Sequence, residues 1–91
     1  MARIFLTHKV KDYDEWKEGY DADGERRQAA GLIEGGHFHS SDDRNSFLIV
    51  WDTEIGIDET TAMVTGMMAD EELAKLMEEA GVLEKPEFWV A

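Results

Sequence analysis

Cysteine is absent from this sequence, which excludes disulfide bonds and thiolate metal sites. Basic residues are scarce: nine Lys and Arg stand against 21 Asp and Glu, a formal net charge of −12 at pH 7. Phosphate backbones and anionic membranes both require a basic surface, so we expect neither nucleic acid nor a membrane as a partner. The acidic surface either attracts cationic partners or is a solvated shell suited to a salty, halophilic cytoplasm, because salt screens self-repulsion. We favour the solvated shell.

Long hydrophobic runs are also missing near the N-terminus. The only continuous apolar run there is Ile4-Phe5-Leu6, far shorter than a signal peptide or a membrane span. We therefore expect a cytoplasmic protein. The apolar fraction of 43%, with three Trp, four Phe and two Tyr, is typical of a globular chain. The length predicts one domain covering residues 1–91.

Hydrophobic periodicity predicts four strands and two helical regions. The strands are Arg3 to Val10, Leu32 to Ser40, Phe47 to Trp51 and Glu87 to Ala91, and the helices run from Asp12 to Gly31 and from Gly56 to Gly81. Asp12 and Glu15 have capping-box spacing, and Gly24 allows a bend in the first helix. We expect the second helix to break between Met67 and Asp70, and a bulge at Gly35-Gly36. The order β-α-β-β-α-β predicts a ferredoxin-like α+β fold, with an antiparallel sheet in the order 4-1-3-2 and both helices on one face.

The third predicted strand is apolar at five consecutive positions, Phe47 to Trp51. Successive side chains of a strand point to opposite faces, so this strand has large apolar groups on both faces of the sheet. Two helices cover only one face, and the other exposes an unusually large apolar patch. We therefore predict a homodimer in which a second copy covers the bare face.

Three blocks of the sequence resemble a known group of proteins. They are Thr7-His8-Lys9-Val10-Lys11-Asp12-Tyr13-Asp14-Glu15-Trp16, Asp42-Asp43-Arg44-Asn45, and Ala80-Gly81-Val82 with Pro86 shortly after. The chain is similar to the dimeric α+β barrel superfamily, in particular to its small antibiotic-biosynthesis-monooxygenase-like and cyclase-like members. The resemblance implies the fold and the dimer. It leaves the chemistry open, because this superfamily includes monooxygenases, isomerases, cyclases, haem enzymes and sensor domains.

Three histidines are the residues best suited to chemistry. His37 and His39 lie two apart on one strand and share a face, and His8 lies at the end of a strand that runs parallel to theirs. Histidine titrates near neutrality, so we predict that His8, which falls in the first resembling block, is a catalytic proton shuttle. His37 and His39 are predicted to contact a substrate. A three-imidazole metal site and ordinary polar strand-end residues are the alternatives.

Aromatic residues provide walls for a flat organic ligand. Trp16, Tyr20 and Trp51 are predicted to bind the substrate, although core packing explains the same stripe. Arg27 either anchors a substrate carboxylate or pairs with a nearby acid. No Gly-rich phosphate loop, nucleophile elbow or zinc motif is present, so we expect neither a cofactor nor a metal.

Three classes of function are consistent with the sequence. The first is a small cofactor-independent enzyme acting on an aromatic or polyketide-like compound, with monooxygenase-like or cyclase-like chemistry. The second is a small-molecule binding or sensing module without turnover, and the third is a structural homodimer. An open cavity that reaches His8 favours the first two classes over the third.

Overall fold

The computed structural model describes residues 1–91. Its elements follow the predicted order, and both helical regions are divided. They are β1 (Ala2–Lys9), α1 (Tyr13–Ala22), α2 (Gly24–Ala29), β2 (Ile33–His39), β3 (Ser46–Thr53), α3 (Ile57–Ala69), α4 (Glu71–Glu79) and β4 (Phe88–Val90). The predicted α+β ferredoxin-like fold is confirmed.

The four strands form one antiparallel sheet in the order β2-β3-β1-β4. This is the predicted order 4-1-3-2 read from the other edge. In the register of β1 with β3, Leu6 lies opposite Ile49 and His8 lies opposite Phe47. These four side chains are buried and face the helices. Phe47 and Ile49 of β3 therefore face the helices. Leu48, which lies between them, points to the other face of the sheet.

The hydrophobic core lies between the helices and one face of the sheet. Buried residues of both sheet and helices form it: Ile4, Leu6, Val10, Tyr13, Trp16, Leu32, Phe47, Ile49, Trp51 and Val64. Tyr13 and Trp16 come from α1 and Val64 from α3, so both helical regions cover the same face of the sheet. This is the predicted two-layer arrangement.

The first helical region is two helices rather than one bent helix. Asp12 caps α1, and its carboxylate accepts a hydrogen bond of 3.0 Å from the Asp14 amide; the reciprocal bond predicted from Glu15 is not formed. The break falls at Asp23, directly before the predicted bend at Gly24. The Asp23 amide donates to the Tyr20 carbonyl, a tighter i to i−3 bond that ends the α-helical turn.

The second helical region breaks where the sequence predicts. Asp70 ends α3 and caps α4, because its carboxylate accepts hydrogen bonds from the Glu72 and Leu73 amides. After α4, Gly81 adopts a φ of 90°, and the Val82 amide donates to the Met77 carbonyl at 3.0 Å. This closure at the C-terminal end of the helix confirms the predicted stop at Gly81.

A β-bulge interrupts β2 at the predicted glycine pair. The register with β3 shifts between Glu34 and Gly36, and Gly36 has a φ of 125°. At Gly35 an added Cβ would lie 2.9 Å from both the Cγ1 atom and the carbonyl oxygen of Val50. Only glycine permits the backbone of β2 to approach β3 this closely.

The second face of the sheet has no helix over it. Phe38 of β2 lies opposite Leu48, and Trp89 of β4 lies opposite Phe5, so all four side chains are on this face. Phe38 is 57% exposed and Trp89 is 53% exposed. We call this surface the open face. No helix of the chain has the length and apolarity required to cross a membrane.

Candidate functional site

A cavity of about 440 Å³ lies between the sheet and the helices. Seventeen residues line it, and twelve of them are hydrophobic. The lining residues are, from the sheet, Leu6, His8, Ile49 and Trp51; from α1 and α2, Trp16, Gly19, Tyr20, Ala22, Arg26 and Arg27, with Asp23 between them; and from α3 and α4, Met67, Met68, Leu73, Leu76 and Met77, with Ala80 beyond. A larger hollow of about 580 Å³ lies at the sheet edge beside His8 and His39, but only three of its 12 lining residues are hydrophobic. Small-molecule sites are concave and mostly apolar with few polar groups. The cavity under the helices has that character and the edge hollow does not.

His8 is the buried polar residue of the cavity wall. Its Nδ1 atom lies 2.8 Å from the carbonyl oxygen of Thr7. A carbonyl only accepts, so Nδ1 carries the proton and Nε2 presents its lone pair. The Nε2 atom makes no hydrogen bond to the protein, and no buried side-chain nitrogen is left without a partner. Nε2 is therefore not sealed inside the protein, and His8 borders both the cavity under the helices and the edge hollow.

Burial decides the charge state of His8. Loss of water around the imidazolium lowers the pKa of His8 to about 4; the hydrogen bond to Thr7 opposes this shift and the nearby His37 adds to it. The ring is neutral at pH 7. It offers the cavity one hydrogen-bond acceptor without a charge.

Two aromatic side chains of α1 form one wall of the cavity. The rings of Trp16 and Tyr20 stack with centroids 4.7 Å apart, and the Trp16 ring lies 5.4 Å from that of His8. They are one helical turn apart, so the same face of α1 presents both. The predicted substrate-binding residues Trp16 and Tyr20 thus line the same cavity as His8.

The third predicted wall residue, Trp51, is fixed by a hydrogen bond. Its Nε1 atom donates to the Tyr20 hydroxyl at 2.8 Å, and that hydroxyl in turn donates to the Glu34 carboxylate. Burial, together with the hydrogen bond to Glu34, raises the pKa of the Tyr20 hydroxyl, so it stays protonated at neutral pH. No pattern in the sequence singles out Glu34, which is one acid among 21.

His37 and His39 are on the helix-facing side of the sheet but outside the cavity. The Nδ1 atom of His37 lies 2.9 Å from the Tyr13 hydroxyl, and burial lowers its pKa. His39 is exposed, and its Nδ1 atom donates to the Arg44 carbonyl at 2.7 Å. The His37 ring packs near the rings of Tyr13 and Trp16, with centroids 6.1 Å and 5.7 Å away.

The three histidines do not form a metal centre. No group of three or more His, Asp and Glu side chains in residues 1–91 is placed to hold a metal ion.

The structure brings four of the predicted site residues, His8, Trp16, Tyr20 and Trp51, together around one cavity. His37 and His39 are not among the residues that line this cavity.

The opposite wall of the cavity comes from α3 and α4. Met67, Met68 and Met77 lie there with Leu73 and Leu76. The apolar stripe of α4 and the run of methionines are visible in the sequence, but both patterns are equally typical of core packing. These residues line the same cavity as Trp16 and Tyr20 because of the way α4 packs over the sheet. Hydrophobic periodicity does not predict that packing.

The fold defines the chain as an α+β protein with a ferredoxin-like arrangement of four strands and covering helices. No known protein-family model matches it, and no curated protein matches it. Solved structures do. A structural-genomics target from Agrobacterium tumefaciens is 18% identical with a TM-score of 0.63, and the match covers 100% of this chain and 91% of that one.

Two further structures extend this similarity. A protein from Nitrosomonas europaea, named as a candidate antibiotic biosynthesis monooxygenase, is 14% identical with a TM-score of 0.60, covering 100% of this chain and 96% of that one. An uncharacterised NIPSNAP domain protein from Burkholderia xenovorans is 16% identical with a TM-score of 0.63, covering 100% and 92%. At these identities the matches show the fold, and they confirm the predicted resemblance at that level.

Proposed function

We propose that this chain is a cofactor-independent enzyme that acts on a small hydroxylated aromatic compound, with His8 as the proton acceptor. The observation that carries the proposal is the unbonded Nε2 atom of His8 at the wall of an aromatic cavity. The names of two structural neighbours support it, since one is called an antibiotic biosynthesis monooxygenase and the Nitrosomonas europaea protein is named as a candidate one.

In the proposed binding mode a flat compound lies along the edges of the Trp16 and Tyr20 rings, because Trp16 and the Arg27 guanidinium cover the faces of Tyr20. A hydroxyl or an acidic C–H group of the compound then points to the Nε2 atom of His8. The Nδ1–H bond to the Thr7 carbonyl holds the ring orientation and the tautomer. The lone pair is thus in place before the substrate arrives, as a general base requires.

The low pKa of His8 limits which protons it takes. Transfer from a phenol of pKa about 10 to an imidazole of pKa about 4 costs about 8 kcal/mol. A barrier of about 17 kcal/mol still permits roughly one turnover per second. The proposed substrate is therefore one whose anion is delocalised over several rings, so that the proton is more acidic than that of a simple phenol.

In the proposed reaction the substrate loses a proton to Nε2, and the resulting carbanion or phenolate reduces dissolved dioxygen. For an anthrone the net change is anthrone plus O₂ giving anthraquinone plus water, so no bound cofactor is needed to balance it. One oxygen atom of O₂ becomes the new quinone carbonyl and the other leaves as water. The electrons and both protons of that water come from the CH₂ group of the anthrone, one of the protons by way of His8.

Binding without turnover is the second candidate, and the pKa of His8 favours it. A neutral imidazole with a pKa of about 4 is a good hydrogen-bond acceptor and a weak base. In that case the same cavity holds a hydroxylated aromatic ligand through one hydrogen bond and leaves it unchanged.

One variant separates these two candidates. His8→Gln keeps a hydrogen-bond acceptor near the position of Nε2 but cannot take up a proton. We expect it to bind 1,8-dihydroxyanthrone within threefold of the native affinity, by calorimetry, and to lose at least a hundredfold in the rate of quinone formation followed by absorbance. His39→Gln is the matched control, because this histidine lies outside the cavity; we expect its rate to be unchanged.

The other outcomes identify the alternatives. Native protein that binds the anthrone without oxidising it supports the binding module and contradicts the enzyme. Native protein that neither binds nor oxidises it contradicts both, and a structural dimer then remains.

We also propose that the protein is a homodimer joined through the open face. Phe38 and Trp89 are each more than half exposed there, with Leu48 and Phe5 beside them. Stable interfaces bury about 800 Å² on each partner, which a four-stranded sheet face can supply. A second copy has the same apolar surface and so provides a matching partner.

A further inference from the structure

Arg27 differs from the other three arginines of the chain. The side chains of Arg3, Arg26 and Arg44 are 56%, 58% and 62% exposed, and each donates a hydrogen bond to a carboxylate. The Arg27 side chain is 13% exposed and makes no side-chain hydrogen bond. Its one ionic contact joins Nε to the Glu34 carboxylate at 3.4 Å. A largely buried guanidinium is therefore left with most of its donors unused.

The unused donors of Arg27 are accessible, and the residue borders two hollows: the cavity under the helices and an outer hollow shared with Lys17, Gly24 and Glu34. A guanidinium has five N–H groups, and a buried donor without a partner is unfavourable. The Glu34 oxygen nearest Arg27 already accepts from the Tyr20 hydroxyl. No buried side-chain nitrogen in residues 1–91 lacks a partner, so the free N–H groups of Arg27 are at a surface. Arg27 lines the same cavity as His8.

His8 and Arg27 lie at the two ends of one row of planar groups. The His8 ring contacts Trp16 at 5.4 Å, Trp16 stacks on Tyr20 at 4.7 Å, and the Arg27 guanidinium carbon lies 3.4 Å over the Tyr20 ring. All four groups line the cavity. One end of the wall therefore offers a neutral acceptor and the other a cation.

We propose that Arg27 binds an anionic group of the ligand, and that the natural ligand is a hydroxylated aromatic carboxylic acid of two or three rings. This inference rests on the proposed function, since it concerns the same cavity. The ligand lies along Trp16 and Tyr20, with its hydroxyl at His8 and its carboxylate at Arg27. A guanidinium matches a carboxylate with two parallel N–H bonds, which a lysine does not provide.

The net charge of the chain opposes the binding of an anionic ligand. At −12, the surface field repels an anionic ligand, so a carboxylate needs a local positive partner to bind. Arg27 supplies it inside the cavity wall, where the surrounding apolar side chains leave the pair less screened than at the surface.

Two naphthalene probes test the inference with the intact chain. 2-Naphthol has only the hydroxyl, and 6-hydroxy-2-naphthoic acid has the hydroxyl and the carboxylate at opposite ends. We expect the native protein to bind the acid about tenfold more tightly than the naphthol at pH 7.5, by calorimetry. Arg27→Gln is expected to lose this preference while binding 2-naphthol within twofold of the native affinity, which also shows that the variant is folded.

Matched variants define the alternatives. Arg44→Gln removes the same charge from an exposed arginine outside the cavity, and we expect it to keep the tenfold preference. Arg27→Lys is expected to recover part of it. If 2-naphthol binds in a His8-dependent manner but the carboxylate adds no affinity, or if Arg44→Gln loses the preference equally, the role of Arg27 is refuted and the proposed function stands. If neither probe binds, both are refuted.

Discussion

The Nε1 atom of Trp51 donates a 2.8 Å hydrogen bond to the hydroxyl of Tyr20 and so joins the central strand β3 to helix α1. The same hydroxyl donates to Glu34 of β2. One phenol thus connects a helix to two strands at the wall of the cavity. A shift of α1 would break both bonds, so this connection keeps the aromatic wall at a fixed distance from the sheet.

The pH dependence of stability should report the burial of His8. Its folded pKa of about 4 is below the ordinary value of 6.5, so between these values the unfolded chain binds more protons than the folded one. Above pH 6.5 the burial of His8 makes no pH-dependent contribution to the free energy of unfolding. As the pH falls from 6.5 towards 4, it lowers that free energy progressively, by about 3 kcal/mol in all. We expect the native protein to lose more stability than His8→Gln between pH 7.5 and pH 4.5 in urea titrations. Parallel pH profiles for the two proteins would show that His8 is not held neutral by burial.

The open face should determine the oligomeric state. Light scattering at micromolar concentration is expected to give about twice the 10.4 kDa mass of the chain. Phe38→Lys places a charge on the open face at an exposed position, so we expect it to give a folded monomer. Ala62→Lys adds the same charge on the exposed side of α3 and should remain dimeric. A monomeric native protein would contradict the dimer.

The net charge of −12 should make stability depend on salt. We expect the Tm to rise clearly between 0.1 M and 2 M KCl, because salt screens repulsion among the acids. Helix α4 ends on Glu78 and Glu79 with no basic residue in its last turn, which is unfavourable for the helix dipole. The double variant Glu78→Gln, Glu79→Gln is therefore expected to raise the Tm in low salt more than in high salt. A Tm that stays flat or falls with KCl would refute the halophilic interpretation.

Two glycines should respond in opposite directions to alanine. At Gly35 a Cβ would meet the Val50 carbonyl oxygen at 2.9 Å, so Gly35→Ala forces the two strands apart and is expected to cost about 1–3 kcal/mol. At Gly19, inside α1, nothing lies within 4 Å of the added Cβ. Gly19→Ala is expected to stabilise the chain by about 0.5–1 kcal/mol through helix propensity. Denaturant titrations of both variants measure the difference, and equal effects would contradict the close approach at Gly35.

Local signals in the sequence were enough to predict the elements and their order. The five apolar residues of β3, the Gly35-Gly36 pair and the Asp70 cap each depend on neighbours along the chain, and the structure confirms all three. The sequence predicts a bend at Gly24, whereas the structure has two separate helices divided at Asp23. The helix-propensity cost of one glycine does not indicate whether a helix bends or ends.

The site was predictable only in part. His8, Trp16, Tyr20 and Trp51 meet because the strand order and the face of α1 follow from periodicity. His37 and His39 pack instead against Trp16 and Tyr13, at ring-centroid distances of 5.7 Å and 4.4 Å, and these tertiary contacts are not encoded by spacing along the chain. Arg27 keeps free N–H donors because the Glu34 oxygen nearest to it already accepts a hydrogen bond from Tyr20. No spacing in the sequence indicates that Glu34 is the acid that Tyr20 contacts.

The bulge at Gly35 and Gly36 also governs how the sheet can grow. β2 is an edge strand, and an edge strand presents unpaired N–H and C=O groups that can template a further strand. The register shift breaks that row in the middle of β2, and at the opposite edge β4 is only three residues long. Neither edge offers a long regular ladder for runaway strand addition. We therefore expect the sheet to resist fibre-like polymerisation at its edges, whether or not a second copy covers its open face.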